Sequence, residues 1–220
     1  GHSTDIAHAT LDDHNWALNA NGTKRFYREF FLNEYGMYGH CPWLSEADVA
    51  NRYWVTVDFK VKTDGLYKVS PVMGENLASG RFLVELDGQP LRRIDDALKV
   101  GQAEITLPDP YDVGYAYLTA GTHKIKFTIV YNTKMWLNKV IFTPIETDGS
   151  KCALVAGELA SPPAGEDSSC TLSGTYDGAP YANITFDAIE ATSEDENIAT
   201  VSITDDANTG LKALTVHGVK

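Results

Sequence analysis

The sequence contains 220 residues, of which 43% are hydrophobic, and it carries a formal net charge of −12. This length and composition are typical of one large or two modest packed domains. The negative charge argues against nucleic acid, sulfated glycans or an anionic membrane surface as partners, because each would be repelled. No apolar run approaches the roughly 18 residues of a membrane-spanning helix, so we expect no membrane insertion.

The negative charge is concentrated in the last third of the chain. Residues 1–146 hold 15 basic and 18 acidic side chains, whereas residues 147–220 hold 3 basic and 12 acidic ones. The Thr-Asp-Gly-Ser sequence at 147–150 has the composition of a linker. We therefore predict two units, called here the first unit (1–146) and the second unit (147–220).

The predicted elements of the first unit are mostly strands. The pattern before residue 53 is the least regular in the chain: the aromatic residues of 26–31 fit either a helix or a strand, and 44–48 fits one helical turn. From residue 53 onward, apolar and polar residues alternate with the period of two that marks half-buried strands. The predicted strands are 53–61, 66–69, 82–86, 103–107, 115–118 and two strands within 120–145, which a polar connection at 132–134 separates.

The second unit shows the same alternation, with turn signals at Asp177-Gly178 and at 205–210. Its last strand pattern reaches the end of the given chain, so truncation of the second unit stays an open alternative. Strands at this spacing, without a long helical pattern, are typical of antiparallel sandwiches, so we expect an all-β fold. The predicted strands here are 170–176, 182–186, 199–203 and 213–219.

The cysteines and the glycosylation sequons depend on the compartment. Cys152 and Cys170 lie in one acidic segment, and a disulfide between them is expected if the protein is exported. Cys41 stands alone and is interpreted as a small buried thiol. The sequons that begin at Asn21 and Asn183 matter only in a eukaryotic secretory route.

Three segments of the first unit carry a resemblance to a known family. They are YWVTVDFKVKTDGLYKVSPVMG, GRFLVELDGQPL and LTAGTHKIKFTIVYNTKMWLNKVIF, which contain D-G-x-Y, V-x-x-D-G, L-x-A-G-x-H and L-N-x-x-x-F in that order. In this the first unit resembles carbohydrate-binding module family 6 and its galactose-binding-like jelly-roll relatives. The second unit, over ATSEDENIATVSITDDANTGLKALTVHGV, resembles bacterial immunoglobulin-like domains. The resemblances imply a jelly-roll β-sandwich followed by a small immunoglobulin-like β-sandwich.

The family resembled binds glycans in loops at one end of its sandwich. A neutral sugar needs an aromatic plane against its C–H face and planar amides or carboxylates for its hydroxyls. The resemblance implies an amide at the start of the last strand, an aromatic in the loop before the L-x-A-G strand and another aromatic early in the fold. Each aromatic has packing as its alternative role. The candidates are Asn138 for the amide, Tyr111 or Tyr115 for the second aromatic, Tyr35, Tyr38 or Trp43 for the first, and Trp136 from the loop predicted to hold Asn138.

These assignments predict non-catalytic binding of neutral carbohydrate by an exported bacterial protein, secreted or held at the cell surface. We expect no enzyme, because the adjacent carboxylates Asp12-Asp13 and Asp95-Asp96 would point to opposite faces of a strand. No cofactor is required. The family's structural calcium has no ligand that can be placed, because residues 5–50 do not match the pattern. The alternatives are a structural or adhesion spacer that contacts proteins, or an accessory part of a larger glycoside hydrolase with further domains.

Overall fold

A computed structural model describes residues 2–5, 13–14, 38–40, 54–77, 79–131, 135–184, 189–205 and 211–219, the first three segments by their backbone only. Within these residues the fold is all-β, with a 3-10 turn at Gly149–Lys151, and the predicted fold class is confirmed. The strands are β1 His2–Asp5, β2 Asp13–His14, β3 Tyr38–His40, β4 Trp54–Val61, β5 Gly65–Met73, β6 Arg81–Leu86, β7 Gln89–Pro90, β8 Gly114–Leu118, β9 Gly121–Tyr131, β10 Met135–Ile145, β11 Cys152–Ala156, β12 Asp167–Tyr176, β13 Ala179–Ala182, β14 Ala199–Asp205 and β15 Lys212–Gly218.

Most predicted strands are present, and two predictions need correction. The segment 103–107 is not a strand: Thr106 forms only an isolated bridge with Glu75, because no neighbouring strand runs beside it in the described residues. The strand predicted at 182–186 is not formed at 183–184, because β13 ends at Ala182 and Asn183 turns the chain with φ of 58°. Residues 185–186 lie outside the described residues. The segments 26–31 and 44–48, and Cys41, lie outside the described residues.

The first unit is a sandwich of two sheets. One sheet has the order β2-β4-β9-β6-β7, and it faces the β1-β10-β5-β8 part of the other, where β3 also pairs with β10. Apolar side chains from β4, β6 and β9 meet those from β5, β8 and β10 in a single core. Phe59 of β4 stacks on Phe142 of β10 with ring centroids 4.3 Å apart, which joins the two layers.

Strand β9 shows how the sequence pattern builds this core. Ile125, Phe127 and Ile129 are at most 2% exposed, whereas Lys124 and Lys126 lie on the opposite face. Burying each of these large apolar side chains contributes about 1.5–3 kcal/mol to stability. The alternation therefore fixes which face of β9 meets the sandwich core.

The two units share a sheet. Strand β13 of the second unit pairs in parallel with β8 of the first, with Tyr181 opposite Tyr115 and Ala182 opposite Ala116. The sheet then continues through β12, β15 and β14, while β11 pairs with β12. The predicted division at 146/147 stays a prediction, but the strands on its two sides are hydrogen-bonded neighbours.

Aromatic side chains fill the junction between the units. The Tyr115 ring lies 4.9 Å from the Tyr176 ring, which meets Tyr181 edge-on at 6.1 Å between centroids. Leu66 of β5 completes this buried cluster. Tilted and edge-to-face pairs of this kind are favourable for aromatic rings, so the cluster stabilises the parallel pairing beside it.

A group of polar side chains, the Asp87 clamp (Asp87, Gln89, His123 and Asn183), connects the units at the same junction. The backbone N–H of Asn183 donates to Oε1 of Gln89 at 2.7 Å, and its side-chain Nδ2 donates to Oδ2 of Asp87 at 2.7 Å. The other oxygen of Asp87 accepts the backbone N–H of Lys124 at 2.9 Å. Nδ1 of His123 lies 2.7 Å from Oδ2 of Asp87. The clamp therefore ties the turn after β13 to both β6–β7 and β9.

The predicted disulfide between Cys152 and Cys170 is wrong in this structure. Both cysteines are free. Cys152 lies opposite Tyr176 in the β11–β12 pairing, whereas Cys170 lies six residues before Tyr176 on β12. At a rise of about 3.3 Å per residue, the two are separated by roughly 20 Å, far beyond the reach of a disulfide.

A thiol assay checks this correction. We expect denatured, non-reduced protein to release the same number of free thiols as reduced protein, because neither Cys152 nor Cys170 has a partner within bonding distance. Ellman titration in guanidinium chloride measures that number. A loss of two thiols in the non-reduced sample, restored by reductant, would show that at least one of Cys152 and Cys170 is bridged and would contradict their free state.

Gly114 is predicted to control how closely the units approach. A Cβ atom at this position would lie 2.5 Å from the carbonyl oxygen of Pro180, and its φ of 137° also disfavours a side chain. We expect Gly114→Ala to lower the melting temperature more than Gly121→Ala. The control Gly121 has φ of 149° and no atom within 4 Å of its Cβ position, so it reports backbone strain without the clash. Equal losses in the two variants would show that the close contact is unimportant.

Candidate functional site

Trp136 is not the open platform that the sequence predicts. Strand β10 already begins at Met135, so Trp136 and Asn138 lie within the strand and not in the preceding connection. The Trp136 side chain is 5% exposed. Asn138 is half-buried at an irregularity in the pairing with β5, between Leu137 and Lys139. An indole this deeply buried presents no flat face to a ligand, which corrects the role expected for Trp136.

Tyr111 is held in place by hydrogen bonds at the end of the sandwich. Its backbone N–H donates to the Pro71 carbonyl at 2.8 Å, and its hydroxyl donates to Oε1 of Glu75 at 2.5 Å. Nζ of Lys99 lies 3.4 Å from the same carboxylate oxygen. Burial is the main cause that raises the pKa of Tyr111, and the bond to Glu75 adds to it. The geometry favours a structural role, because the ring also packs on the sandwich core.

The remaining predicted site residues are not brought to one place in the described structure. Tyr115 faces the second unit and packs on Tyr176, so it belongs to the junction. Of Tyr38 only the backbone is described, paired with Leu137. Tyr35 and Trp43 lie outside the described residues, and their predicted roles stay predictions.

Hydrogen bonds through Gly74 and Glu75 connect the segments that hold Trp136 and Tyr111. The N–H of Gly74 donates to the Trp136 carbonyl at 2.8 Å, and the next residue, Glu75, accepts from Tyr111. The N–H of Glu75 in turn donates to the Thr106 carbonyl at 2.8 Å, and Nε2 of Gln102 donates to the Glu75 carbonyl at 3.0 Å. This end of the sandwich is therefore rigidly connected, although the aromatics predicted to bind are used for packing.

Tyr131, an exposed aromatic that the sequence analysis does not single out, lies at this end of the sandwich. The side chain of Tyr131 is 53% exposed, and the Arg81 guanidinium lies over its ring at 5.0 Å from the centroid. Nε of Arg81 is 3.7 Å from Oδ1 of Asp95, and Nε of Arg93 donates to the same oxygen at 2.6 Å. We call Tyr131, Arg81, Arg93 and Asp95 the Tyr131 platform.

A strand irregularity explains why Tyr131 faces outward. By the alternation of β9, Tyr131 continues the core positions of Phe127 and Ile129, so it reads as a buried residue. In the pairing of β6 with β9, however, Phe82 faces Ile129 and the adjacent Arg81 faces Tyr131, so β9 carries one extra residue there. A bulge of this kind turns the following side chain to the other face. The usable sequence signal was an aromatic immediately before the polar connection at 132–134.

The Tyr131 platform combines the two kinds of group that bind polar rings. The ring offers an apolar plane, and its 53% exposure leaves part of that plane accessible to a ligand. The guanidinium groups of Arg81 and Arg93 offer fixed N–H donors, and the Asp95 carboxylate offers acceptors. The 3.7 Å separation between Nε of Arg81 and Asp95 is an ion-pair distance and too long for a hydrogen bond. Because this Nε atom is buried, the donors that Arg81 offers a ligand are those of its terminal guanidinium nitrogens.

No three His, Cys, Asp or Glu side chains in the described segments are grouped so as to hold a metal ion. No helix among those segments is long and apolar enough to cross a membrane.

Comparisons with known proteins add little at the level of sequence. No protein-family model and no curated protein match this chain. Among solved structures, it is similar to a Paenibacillus xanthan lyase, with a TM-score of 0.47, 11% identity, and coverage of 98% of this chain and 25% of that one. It is also similar to a Paenibacillus cycloisomaltooligosaccharide glucanotransferase complexed with cycloisomaltoheptaose, with a TM-score of 0.39, 11% identity, and coverage of 99% and 44%. The chain spans less than half of either protein, and likeness at these TM-scores carries no argument about activity.

Alkaline unfolding should report two phenols, the half-buried one of Tyr111 and the buried one of Tyr181. Burial raises the pKa of Tyr181 to about 12, and burial with the Glu75 bond raises that of Tyr111. In the unfolded chain both phenols ionise near pH 10, so they stabilise the fold fully below that pH and lose this contribution as pH rises from 10 through 12. We expect the free energy of unfolding of Tyr111→Phe to fall less steeply over this range.

Urea denaturation at several pH values measures the effect. Tyr131→Phe is the matched control, because Tyr131 is exposed at the end of β9 and does not contribute to the raised pKa of Tyr111 or of Tyr181. At neutral pH, Tyr111→Phe should also cost about 1 kcal/mol through the lost hydrogen bond. Identical pH slopes in wild type and Tyr111→Phe would mean that the Tyr111 hydroxyl is not protected in solution.

Proposed function

We propose that the first unit binds neutral carbohydrate without catalysis, at the Tyr131 platform. The observation that supports the proposal is the half-exposed Tyr131 ring held under Arg81 beside Asp95. A pyranose ring stacked on the open face of Tyr131 would exchange its C–H surface for the aromatic plane. Its hydroxyls would meet the donors of Arg81 and Arg93 and the acceptor of Asp95. The resemblance to carbohydrate-binding module family 6 points to the same ligand class.

The charge of the chain favours a neutral glycan. A formal charge of −12 repels anionic polysaccharides at long range, whereas neutral chains carry no such penalty. Stacking on one exposed ring also gives modest affinity per site, which suits a module that holds a repetitive polymer. We further propose that the protein is exported and bacterial, secreted or at the cell surface, with the family resemblance as support. The Cys152–Cys170 pair no longer supports export, because the two thiols are too far apart.

The runner-up function is a structural or adhesion spacer that contacts other proteins. The continuous sheet supports it, because the parallel pairing between β8 and β13 joins the two units through strand pairing as well as through the chain. An accessory role in a larger glycoside hydrolase is compatible with either function. A spacer needs no ligand at Tyr131, so the same binding experiment separates it from the glycan-binding proposal.

Substitution of Tyr131 tests the proposed site. Affinity electrophoresis against neutral polysaccharides (xylan, mixed-linkage glucan, dextran and galactomannan) identifies a ligand, and calorimetry with its oligosaccharides gives Kd. We expect Tyr131→Ala to weaken binding about tenfold or more, since removing a stacked ring costs more than about 1.4 kcal/mol. Tyr131→Phe should retain most of the affinity, because the ring remains.

Tyr117→Ala is the matched control, because Tyr117 is also an exposed tyrosine, at 36%, but lies on β8 away from the platform. It should leave Kd unchanged. Absence of binding to every polysaccharide by the wild-type protein would favour the spacer. Binding that survives Tyr131→Ala would place the glycan elsewhere.

A further inference from the structure

A cleft lies where the two units meet, away from the Tyr131 platform. The β7 hairpin of the first unit forms one wall, through Gln89 and Pro90. Strands β11, β12 and β13 of the second unit form the other, through Val155, Ser173 and Pro180. The cavity volume is about 220 Å³. We call this space the junction cleft.

The lining of the junction cleft carries no charged side chain among the described residues. Pro90, Val155 and Pro180 supply apolar surface, while Gln89, Ser173 and Thr175 supply amide and hydroxyl groups. A charged ligand would lose its hydration there without gaining a counter-charge from these described residues, so their chemistry favours a neutral ligand. A few polar groups set in apolar walls at a domain interface are typical of sites for small neutral molecules.

Two of the polar groups are already oriented by the fold. Oε1 of Gln89 accepts the Asn183 N–H at 2.7 Å, so the amide is fixed with its Nε2 donors directed elsewhere. The Thr175 hydroxyl lies 3.5 Å from the Ala153 carbonyl, to which it can donate, and its oxygen lone pairs remain as acceptors. Oriented donors and acceptors cost little entropy when a ligand binds, which favours specific recognition of a polar ring.

The size of the cleft favours a small occupant. Its volume of about 220 Å³ lies below the roughly 300–1,000 Å³ of sites for drug-sized ligands, which suits one monosaccharide ring better than a fully enclosed chain. A sugar ring matches the lining, because it presents C–H surface to the prolines and hydroxyls to Gln89, Ser173 and Thr175. We propose that the junction cleft binds a single neutral pyranose residue, free or at the end of an oligosaccharide.

This proposal shares its ligand class with the proposed function but occupies a different site. Because the walls come from both units, a bound sugar contacts both walls at once only when β13 is docked on β8. Binding should therefore stabilise the docked arrangement by mass action. A sugar present at about ten times its Kd should raise the melting temperature by roughly 3–6 °C.

Filling the cleft tests the proposal on the intact chain. The probes are the methyl pyranosides of glucose, galactose, mannose and xylose, with methyl glucuronide as the charged comparison. We expect at least one neutral glycoside, and not the glucuronide, to raise the melting temperature of the wild type. The shift should vanish in Ser173→Trp and persist in Ser169→Trp. Ser169 is the matched control, because it lies four residues away on the same strand and face, is also exposed, and does not line the cleft.

Further variants keep each outcome interpretable. If Ser173→Trp melts abnormally without ligand, Val155→Trp fills the cleft from an exposed position on β11. The shift should survive Tyr131→Ala, which separates the two proposed sites. Absence of a shift with all four glycosides, or a shift retained in both filling variants, would overturn the proposal. A shift lost in Tyr131→Ala but kept in Ser173→Trp would overturn it too, while supporting the Tyr131 platform. If an oligosaccharide binds more tightly than the methyl glycoside of its terminal residue, the end of a glycan chain is the ligand.

Discussion

The parallel pairing of β8 with β13 is the contact on which the organisation of this protein depends. Only two residue pairs form the register, Tyr181 with Tyr115 and Ala182 with Ala116. So short a ladder is weak by itself, and the neighbouring aromatic cluster and the Asp87 clamp stabilise it from two sides. The junction cleft exists only while this pairing holds. Charge and linker composition indicate two units, but a continuous sheet connects them.

Local alternation was enough to predict much of this fold. The core strands around Phe127 and Val84 follow a period of two, and the buried face follows from it. Features that depend on contacts between distant segments could not be predicted, because no local sequence pattern encodes them. The pairing of β13 beside β8 joins segments more than 60 residues apart, and the distance between Cys152 and Cys170 depends on which strand each occupies. The outward turn of Tyr131 results from one extra residue in β9.

The candidate site illustrates the same limit. A tryptophan next to a polar connection has the chemistry of a sugar-binding residue, yet Trp136 falls just inside β10 and is buried. Tyr111 has the right position in the chain, but its hydroxyl is engaged with Glu75. Among the side chains that the structure describes, Tyr131 is the most exposed aromatic, at 53%. The sequence therefore indicated which aromatic side chains lie at this end of the sandwich. Strand boundaries and pairing irregularities decide which of them are exposed to a ligand.

The clamp at Asn183 has a practical consequence for producing this protein. Asn183 opens an Asn-Ile-Thr sequon, and its Nδ2 is the atom to which an oligosaccharyltransferase would attach a glycan. That same nitrogen donates to Asp87 across the junction. Attachment during secretion from a eukaryotic host would put a bulky branched sugar where the units meet. Expression in a bacterial cytoplasm leaves the Asn183 amide unmodified and preserves its hydrogen bond to Asp87 between the units.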